Sequence, residues 1–300
     1  MSKIYEALNR AEVERGESIE EIAQRFASLR VPKTPLTFPD TSDTEMVAEA
    51  SDLDLSLVKQ VPWHLSLSQL PALHERGSAL EQFRRLRSHL REYRDLGSLK
   101  TILVSSGLSQ EGKSFVSANL AISFARHKSA KVLLIDGDMR RSSLPAILGA
   151  STTPGLRDYL SGDAEILDVI QTAQHLKGEE ELHNGIRSLY FIPAGKSADN
   201  AADLSSSPRF ADLISTCAPL FDWIIIDSSP VNLVSDAVNL ARHCDGVLLV
   251  ARGGVTQFKT AQQAVAELKS SRILGFVLNA AESSNGTGSY YGYDAVTEKA

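Results

Sequence analysis

Six short runs rich in Val, Ile and Leu recur along the chain from residue 101 onward, and turn-forming residues separate them. Short runs of β-branched residues bounded by such turns indicate strands. The run Val132-Leu-Leu-Ile135 is almost continuously apolar, as in a parallel strand that is covered on both faces. We predict strands at Thr101–Val104, Lys131–Asp136, Leu189–Pro193, Asp222–Asp227, Gly246–Ala251 and Ile273–Leu278.

Stretches with apolar residues three and four positions apart lie between these runs, which is the spacing of an amphipathic helix. We predict helices from Ala79 onward and at Phe115–His127, Pro208–Ala218, Val234–Arg242 and Thr256–Ser271. Strands that alternate with helices favour an α/β fold with a doubly wound, mostly parallel sheet and helices on both faces. In such folds, ligands bind at the carboxyl ends of the strands.

The first part of the chain has a different pattern. Residues 1–30 carry two short apolar stripes, which predict an amphipathic helical arm that either docks on a partner or packs on its own domain. Residues 31–72 are interrupted by prolines and include an acidic stretch, which is typical of a solvated linker. The apolar residues spaced over Leu53–Leu70 would suit contact with the domain. We assign residues 73–282 to the main domain and 283–300 to a tail.

Composition and charge narrow the function classes. A net charge of −6 argues against a general nucleic-acid binder, which is usually basic. Cys217 and Cys244 lie far apart without metal-ligand spacing, which is typical of buried thiols in a reducing compartment. Because the chain has no apolar run of membrane-spanning length and no secretory signal pattern, we expect it to be cytoplasmic.

The clearest motif lies between the first predicted strand and the helix that follows it. Gly107 and Gly112-Lys113-Ser114 have the spacing of a P-loop. Two glycines let the backbone curl so that its N–H groups face a phosphate chain, and the following helix directs its positive dipole end there. Lys113 would reach the outer phosphates, and the Ser114 hydroxyl would bind magnesium. The alternative is a glycine-rich turn, but the flanking strand and helix favour a nucleoside-triphosphate site.

Three aspartates follow two of the predicted strands. Asp227 ends an apolar strand and has the position of a carboxylate that orients the water ligands of Mg²⁺. Asp136 and Asp138 end another strand, so one could bind the metal while the other accepts a hydroxyl proton. Aspartate also commonly stops strands, but three beside a P-loop favour the metal and base roles.

Asn279 ends the last predicted strand at the carboxyl edge of the sheet. Its amide can both donate and accept, which suits the edge of an adenine base. Asparagine also caps strand ends for turn geometry, and that alternative stays open here.

The helix from Ala79 carries more arginine than glutamate on one face. Glu81, Arg84 and Arg87 lie on this face, where guanidinium groups would suit an acidic partner surface or phosphates. The alternative is an ordinary surface helix with Glu–Arg pairs within the helix.

The tail places Tyr290, Tyr291 and Tyr293 after a Gly/Ser-rich spacer. Tyrosines surrounded by Gly and Ser have no packing partners nearby in the sequence. Two interpretations follow: an aromatic tag that binds a partner, or a set of phosphate acceptors that can reach an active site.

These features together resemble the bacterial tyrosine kinases, which are P-loop kinases of capsule and exopolysaccharide loci. The resemblance rests on the P-loop, Asp136-x-Asp138-x-Arg140, the strand to Asp227, Glu81-x-x-Arg84-x-x-Arg87 and the tail tyrosines, and covers roughly residues 55 to 294. It implies an ATP- and Mg²⁺-dependent P-loop kinase domain with Lys113, Asp136 and Asp138 as catalytic residues, although which aspartate is the base stays open. It implies metal ligands at Ser114, Asp136 and Asp227, with autophosphorylation at the tail tyrosines. The nucleotide-binding residues would be Gly107, Leu108, Ser109, Gln110, Glu111, Gly112, Lys113, Ser114, Phe115, Arg140 and Asn279.

The resemblance also implies partners. Glu81, Arg84 and Arg87 would make contacts between subunits of a ring-like homo-oligomer. A membrane chain-length determinant, or co-polymerase, would activate the kinase at the inner face of the membrane, and a tyrosine phosphatase would oppose it; no nucleic-acid partner is expected. The loop departs from the family's usual Pro-Gly-Glu-Gly-Lys at Ser109 and Gln110. Two other functions stay open: a P-loop ATPase switch without kinase activity, and a nucleotide-binding pseudokinase adaptor.

Overall fold

The computed structural model describes residues 53–126, 130–174 and 186–280. The predicted arm at 1–30, the first part of the predicted linker and the tail with Tyr290, Tyr291 and Tyr293 lie outside the described residues. Within them, no helix is long and apolar enough to span a membrane.

A single eight-stranded sheet forms the centre of the described domain. Its strand order is β1-β4-β5-β3-β6-β2-β7-β8, and every neighbouring pair is parallel except β4 and β5. Since β1 is parallel to β4, these two strands run opposite to the other six. The strands are β1 (Lys59–Val61), β2 (Thr101–Ser106), β3 (Val132–Asp136), β4 (Gln171–Ala173), β5 (Leu189–Ile192), β6 (Trp223–Asp227), β7 (Gly246–Arg252) and β8 (Ile273–Asn279).

Helices cover both faces of the sheet because successive side chains of its central strands alternate between two apolar cores. Leu103 and Leu133 belong to one core, whereas Ile102 and Val132 belong to the other. Strands β2, β3 and β6 are buried along their whole length. The helices of the described residues are α1 (Ser78–Asp95), α2 (Lys113–Ala125), α3 (Leu144–Leu148), α4 (Leu156–Ser161), α5 (Ile166–Val169), α6 (Ala201–Ser205), α7 (Pro208–Cys217), α8 (Asp236–Ala241) and α9 (Phe258–Glu267).

The predicted fold class is confirmed, and all six predicted strands are present. The predicted helices are present too, although α8 and α9 are shorter than their predicted spans. Strands β1 and β4 were not predicted, because three-residue segments with polar side chains carry no readable period.

The domain begins upstream of the predicted boundary at residue 73. Residues 59–61 pair with β4, and the side chain of Trp63 is 1% exposed. The Trp63 ring packs edge-on against Phe191, and its Nε1 donates to Gln171 Oε1 over 3.3 Å. The second half of the predicted linker is therefore part of the core, as the apolar spacing over Leu53–Leu70 suggested.

Candidate nucleotide-binding and phosphoryl-transfer site

The loop between β2 and α2 is a P-loop in its geometry as well as in its sequence. The two elements enclose the loop, and Gly112 has a φ of 94°, a left-handed conformation that glycine adopts without steric cost. A Cβ atom at this position would lie 1.8 Å from Asn279 Nδ2, so no other residue fits without displacing that side chain. The backbone can thus curl tightly ahead of the α2 N-terminus, where phosphate oxygens are favoured.

Glu111 joins this loop to two neighbouring segments. Its side chain accepts hydrogen bonds from the Leu108 backbone N–H over 2.8 Å and from the Thr256 hydroxyl. Its backbone carbonyl accepts one from Asn279 Nδ2 over 3.0 Å. Because Glu111 is 3% exposed, these bonds are shielded from water. The loop is therefore held in shape by the segments that follow β7 and end β8.

Lys113 lies among the acidic strand ends. Its Nζ atom is 2.9 Å from Asp138 Oδ2, and both side chains are almost fully buried. Burial opposes the charged form of Lys113, but the nearby carboxylates of Asp227 and Asp138 outweigh this effect and raise its pKa. The lysine is therefore a fixed positive charge at the start of α2, within reach of the loop.

Asp227 lies at the end of β6 and contacts the first turns of α2. The Ser114 hydroxyl donates to Asp227 Oδ2 over 2.5 Å, and the Ser117 hydroxyl donates to Asp227 Oδ1 over 3.0 Å. Burial raises the pKa of Asp227 even though Lys113 opposes the change. A hydroxyl and a carboxylate oxygen thus face each other at the position predicted for the metal.

Asp136 ends the neighbouring strand β3 directly beside Asp227 in the sheet register. It is fully buried and accepts a hydrogen bond from the Ser142 hydroxyl over 2.6 Å. Burial, followed by repulsion from Asp227, raises the pKa of Asp136 to about 8. A cation bound beside these two buried carboxylates would stabilise their charged forms.

The hydroxyl and carboxylate oxygens at this site suit a magnesium ion that also binds phosphate and water. They suit a metal ion bound only by protein side chains less well. Among the described residues, no group of three or more His, Cys, Asp or Glu side chains is arranged to hold a metal. Mg²⁺ usually takes one or two protein oxygens and completes its octahedron with phosphate and water. Ser114 and Asp227, with Asp136 beside them, match that chemistry.

Two of the predicted nucleotide-binding residues lie at the edge of this arrangement. Asn279 contacts the P-loop through Glu111, which places it beside the site. Arg140 forms a salt bridge with Asp236 in α8. Direct contact of Asn279 or Arg140 with a nucleotide stays a prediction.

The predicted interface residues divide into two groups. Glu81 and Arg84 are both exposed and form an intrahelical salt bridge of 2.5 Å, as the surface-helix alternative proposed. Arg87 instead donates to the backbone carbonyl of Ser123 in α2. Arg87 thus packs α1 on its own domain, whereas Glu81 and Arg84 are exposed; a subunit contact through any of the three residues stays a prediction.

Three residues of this region were not identified from the sequence. Ser117 lies four positions after Lys113 and therefore on the same face of α2, a spacing that could have identified it. Thr256 and Asp236 are distant in sequence from their partners Glu111 and Arg140, and no local pattern points to them.

Comparisons with known proteins agree with this geometry. Residues 102–293 match the family model of the CobQ/CobB/MinD/ParA nucleotide binding domain. The chain is 34% identical to the tyrosine-protein kinase CpsD of Streptococcus agalactiae over 196 residues, which cover 64% of this chain and 80% of that protein. It is 32% identical to the tyrosine-protein kinase wzc of Salmonella typhi over 205 residues, 67% of this chain and 27% of that protein.

Solved structures give the same result. The kinase domain of Escherichia coli tyrosine kinase ETK superposes with a TM-score of 0.63 at 30% identity, covering 72% of this chain and 81% of that domain. The BceF tyrosine kinase domain superposes with a TM-score of 0.57 at 26% identity, covering 71% and 84%. These matches show that the chain belongs to the bacterial tyrosine kinases, the protein-tyrosine kinases built on a P-loop nucleotide-binding domain.

Proposed function

We propose that this protein is an ATP-dependent tyrosine autokinase that phosphorylates its own tail between subunits and thereby regulates the synthesis or export of a capsule or exopolysaccharide. The observation that carries the proposal is the 2.9 Å contact between Lys113 and Asp138 beside the P-loop. It brings a cation for phosphate and a carboxylate that can accept a proton into one buried site.

The P-loop would hold the phosphates of ATP. Its backbone N–H groups and the α2 N-terminus would face the phosphate oxygens, and Lys113 would neutralise charge on the transferred group. Ser114, Asp227 and Asp136 would hold Mg²⁺, which when bound supplies positive charge to the phosphate oxygens. These charges stabilise the transition state because the surrounding residues exclude water.

Asp138 is the better candidate for the base that accepts the tyrosine proton. A tyrosine hydroxyl has a pKa near 10, so it reacts faster when a carboxylate accepts its proton. Asp136 lies next to Asp227 and bonds Ser142, which suits the metal role. Asp138 pairs with Lys113 instead, and this pair would separate when Lys113 turns to the phosphate.

The position at which β8 ends supports the tail as the acceptor. Asn279 is the last residue of β8, and its side chain contacts the P-loop. Tyr290 follows 11 residues later. A chain of that length can extend roughly 35–40 Å, so it can reach its own active site or that of a neighbour.

The proposed partners follow from the family. A ring-like homo-oligomer would use Glu81 and Arg84 on α1, which are exposed in the monomer. A membrane chain-length determinant would recruit and activate the kinase, and a tyrosine phosphatase would remove the phosphates.

The test is a mixing experiment with two variants of the full chain. One carries Lys113→Met and an intact tail, and the other carries Tyr290→Phe, Tyr291→Phe and Tyr293→Phe with an intact site. Each alone should give almost no phosphotyrosine with ATP and Mg²⁺, whereas the mixture should phosphorylate the tail of the Lys113→Met chain. Mass spectrometry would identify the modified residues.

Other outcomes contradict particular parts of the proposal. Phosphotyrosine at the wild-type level in the triple Phe variant would exclude the tail as the acceptor. Full activity of Lys113→Met alone would exclude the nucleotide site as assigned. ATP hydrolysis by the wild-type protein without any phosphotyrosine would favour the ATPase switch instead.

A further inference from the structure

Asp236 is a fully buried carboxylate outside the P-loop, at the first position of α8. Its side chain is 1% exposed and forms a salt bridge with Arg140, which is 34% exposed. An isolated buried carboxylate is strongly destabilising, so this burial is tolerated only because of the pairing. The two residues are 96 positions apart, so the fold itself creates the pair.

The pair has the two-point geometry that fixes the orientation of a guanidinium group. Arg140 Nε donates to Asp236 Oδ2 over 2.7 Å, and Arg140 Nη2 donates to Asp236 Oδ1 over 3.3 Å. Two parallel hydrogen bonds hold both the distance and the plane of the arginine. Lysine could supply the charge but not this geometry.

Arg140 belongs to the loop that carries Asp138. Within this loop the Arg141 N–H donates to Asp138 Oδ1 over 3.0 Å, while Asp138 Oδ2 contacts Lys113. The Ala198 N–H donates to the carbonyl of Met139 over 3.0 Å. The loop is tied to β3 at both ends, by the strand itself and by the Ser142 hydroxyl, which donates to Asp136, while the Arg140 side chain ties the middle of the loop to α8.

We propose that Asp236 is a positioning residue for phosphoryl transfer: it holds Arg140, and through Arg140 it keeps the 137–142 loop in the conformation that presents Asp138 to Lys113. The proposal rests on the proposed function in one respect, because it treats Asp138 as the proton acceptor. In this proposal, Arg140 maintains the conformation of the loop and does not bind the nucleotide.

A role in stability alone explains the pair less well. Buried ion pairs are seldom more stabilising than apolar residues of similar size. Ala237 and Leu240, the neighbours of Asp236 in α8, are fully buried in the apolar core. An apolar side chain would therefore suit this environment, whereas only a charged partner fixes the orientation of Arg140.

The kinetic test uses Asp236→Asn, which keeps the shape and removes the charge, with Asp212→Asn on the exposed face of α7 as the matched control. We expect Asp236→Asn to lower kcat for tail phosphorylation by about 10- to 100-fold, because small displacements of a reacting group have effects of this size. The KM for ATP should change less than about threefold, and Asp212→Asn should behave as the wild type.

A double-mutant cycle separates positioning from direct nucleotide binding. If Arg140 acts through Asp236, then Arg140→Gln and the double variant Arg140→Gln/Asp236→Asn should both match Asp236→Asn. If Arg140 binds the nucleotide itself, Arg140→Gln should raise the KM for ATP and the two losses should multiply. The second result would overturn the proposal, as would an unchanged kcat in Asp236→Asn.

Hydrogen exchange of the nucleotide-free protein gives a measurement that does not depend on activity. Amides of residues 137–142 should exchange at least several-fold faster in Asp236→Asn, while those of β3 keep their protection. Unchanged exchange in this loop would refute the positioning role, even with a lower melting temperature. If the wild-type protein transferred no phosphate to tyrosine, the proposed function would fail, but this comparison would still decide whether Asp236 holds the loop.

Discussion

Gln110 has a φ of 64°, a conformation that favours glycine over other residues. Bacterial tyrosine kinases usually have Gly at this position of the loop, so the substitution places a strained residue in the P-loop. Left-handed geometry costs a residue with a Cβ roughly 1–2 kcal/mol. Gln110→Gly should therefore raise the free energy of unfolding by up to about 1 kcal/mol.

Chemical denaturation would measure this change, and Gln110→Ala is the control because it keeps the Cβ atom. The alanine variant should show little or no gain. Equal stabilisation by both variants would mean that the Gln110 side chain, and not the backbone conformation, is responsible.

The buried carboxylate of Asp136 lowers the stability of the folded protein at high pH, although the proposed metal site requires this carboxylate. Its pKa of about 8 in the folded state lies above the ordinary value of 3.8, so the folded protein binds a proton more tightly than the unfolded chain. Stability is therefore lost as the pH rises from about 4 to about 8. Asp136→Asn removes this charge and should raise the melting temperature of the metal-free protein by several degrees at pH 8.

The gain should shrink towards pH 5, because the wild-type carboxyl is then protonated. Asp163→Asn, which removes an exposed carboxylate, is the matched control. Asp136→Asn should also lose most phosphoryl transfer, since it removes a proposed ligand for Mg²⁺. A gain that is equal at both pH values would contradict the pKa assignment.

At the scale of elements, α1 carries two kinds of arginine that the sequence does not distinguish. Arg84 pairs with Glu81 at the surface, whereas Arg87 bonds the backbone of α2. Arg87→Ala should therefore lower the free energy of unfolding by about 1–3 kcal/mol, because a charge-assisted hydrogen bond and its packing are lost. Arg84→Ala should change stability by less than about 0.5 kcal/mol.

Light scattering of the same two variants tests the interface. If α1 makes contacts between subunits, Arg84→Ala should lower the average mass without loss of stability. If only Arg87→Ala changes the mass, the change reflects the packing of α1 on its own domain.

Local patterns predicted the elements with strong apolar periodicity and missed those without it. Strands β2, β3 and β6 were readable because the run from Val132 to Ile135, for example, is entirely apolar. The short helices α3 to α6 have four to six residues, which is too few for a helical period. The same holds at the site. The P-loop is a contiguous motif and can be recognised in the sequence, whereas the pairing of Arg140 with Asp236 depends on how α8 packs and cannot.

At the scale of the whole molecule, β1 is part of the core although it lies in a region with the composition of a linker. A chain that begins at residue 73 would lose β1 and Trp63, and β4 would become an edge strand paired only with β5. Compared with a chain that begins at residue 53, it should be less stable by at least about 3 kcal/mol, which is the usual cost of removing a buried aromatic side chain.

Thermal and chemical denaturation of the two chains would measure this difference. Trp63→Phe in the longer chain is the control, since it keeps most of the packing and loses the hydrogen bond to Gln171. Equal stability of the two chains would mean that β1 and Trp63 contribute little.

The reversed direction of β1 has a practical consequence for labelling this kinase. Because β1 and β4 run opposite to the other six strands, β1 begins at the end of the sheet where those six strands terminate. That end of the sheet also holds the P-loop. A fluorescent protein or affinity tag joined before β1 or after β8 would therefore start at the end of the sheet that holds the P-loop. The turn at Leu96 and Gly97 precedes β2 and lies at the opposite end of the sheet, where Leu96 is 87% exposed. An internal label there would leave the end of the sheet that holds the P-loop unobstructed.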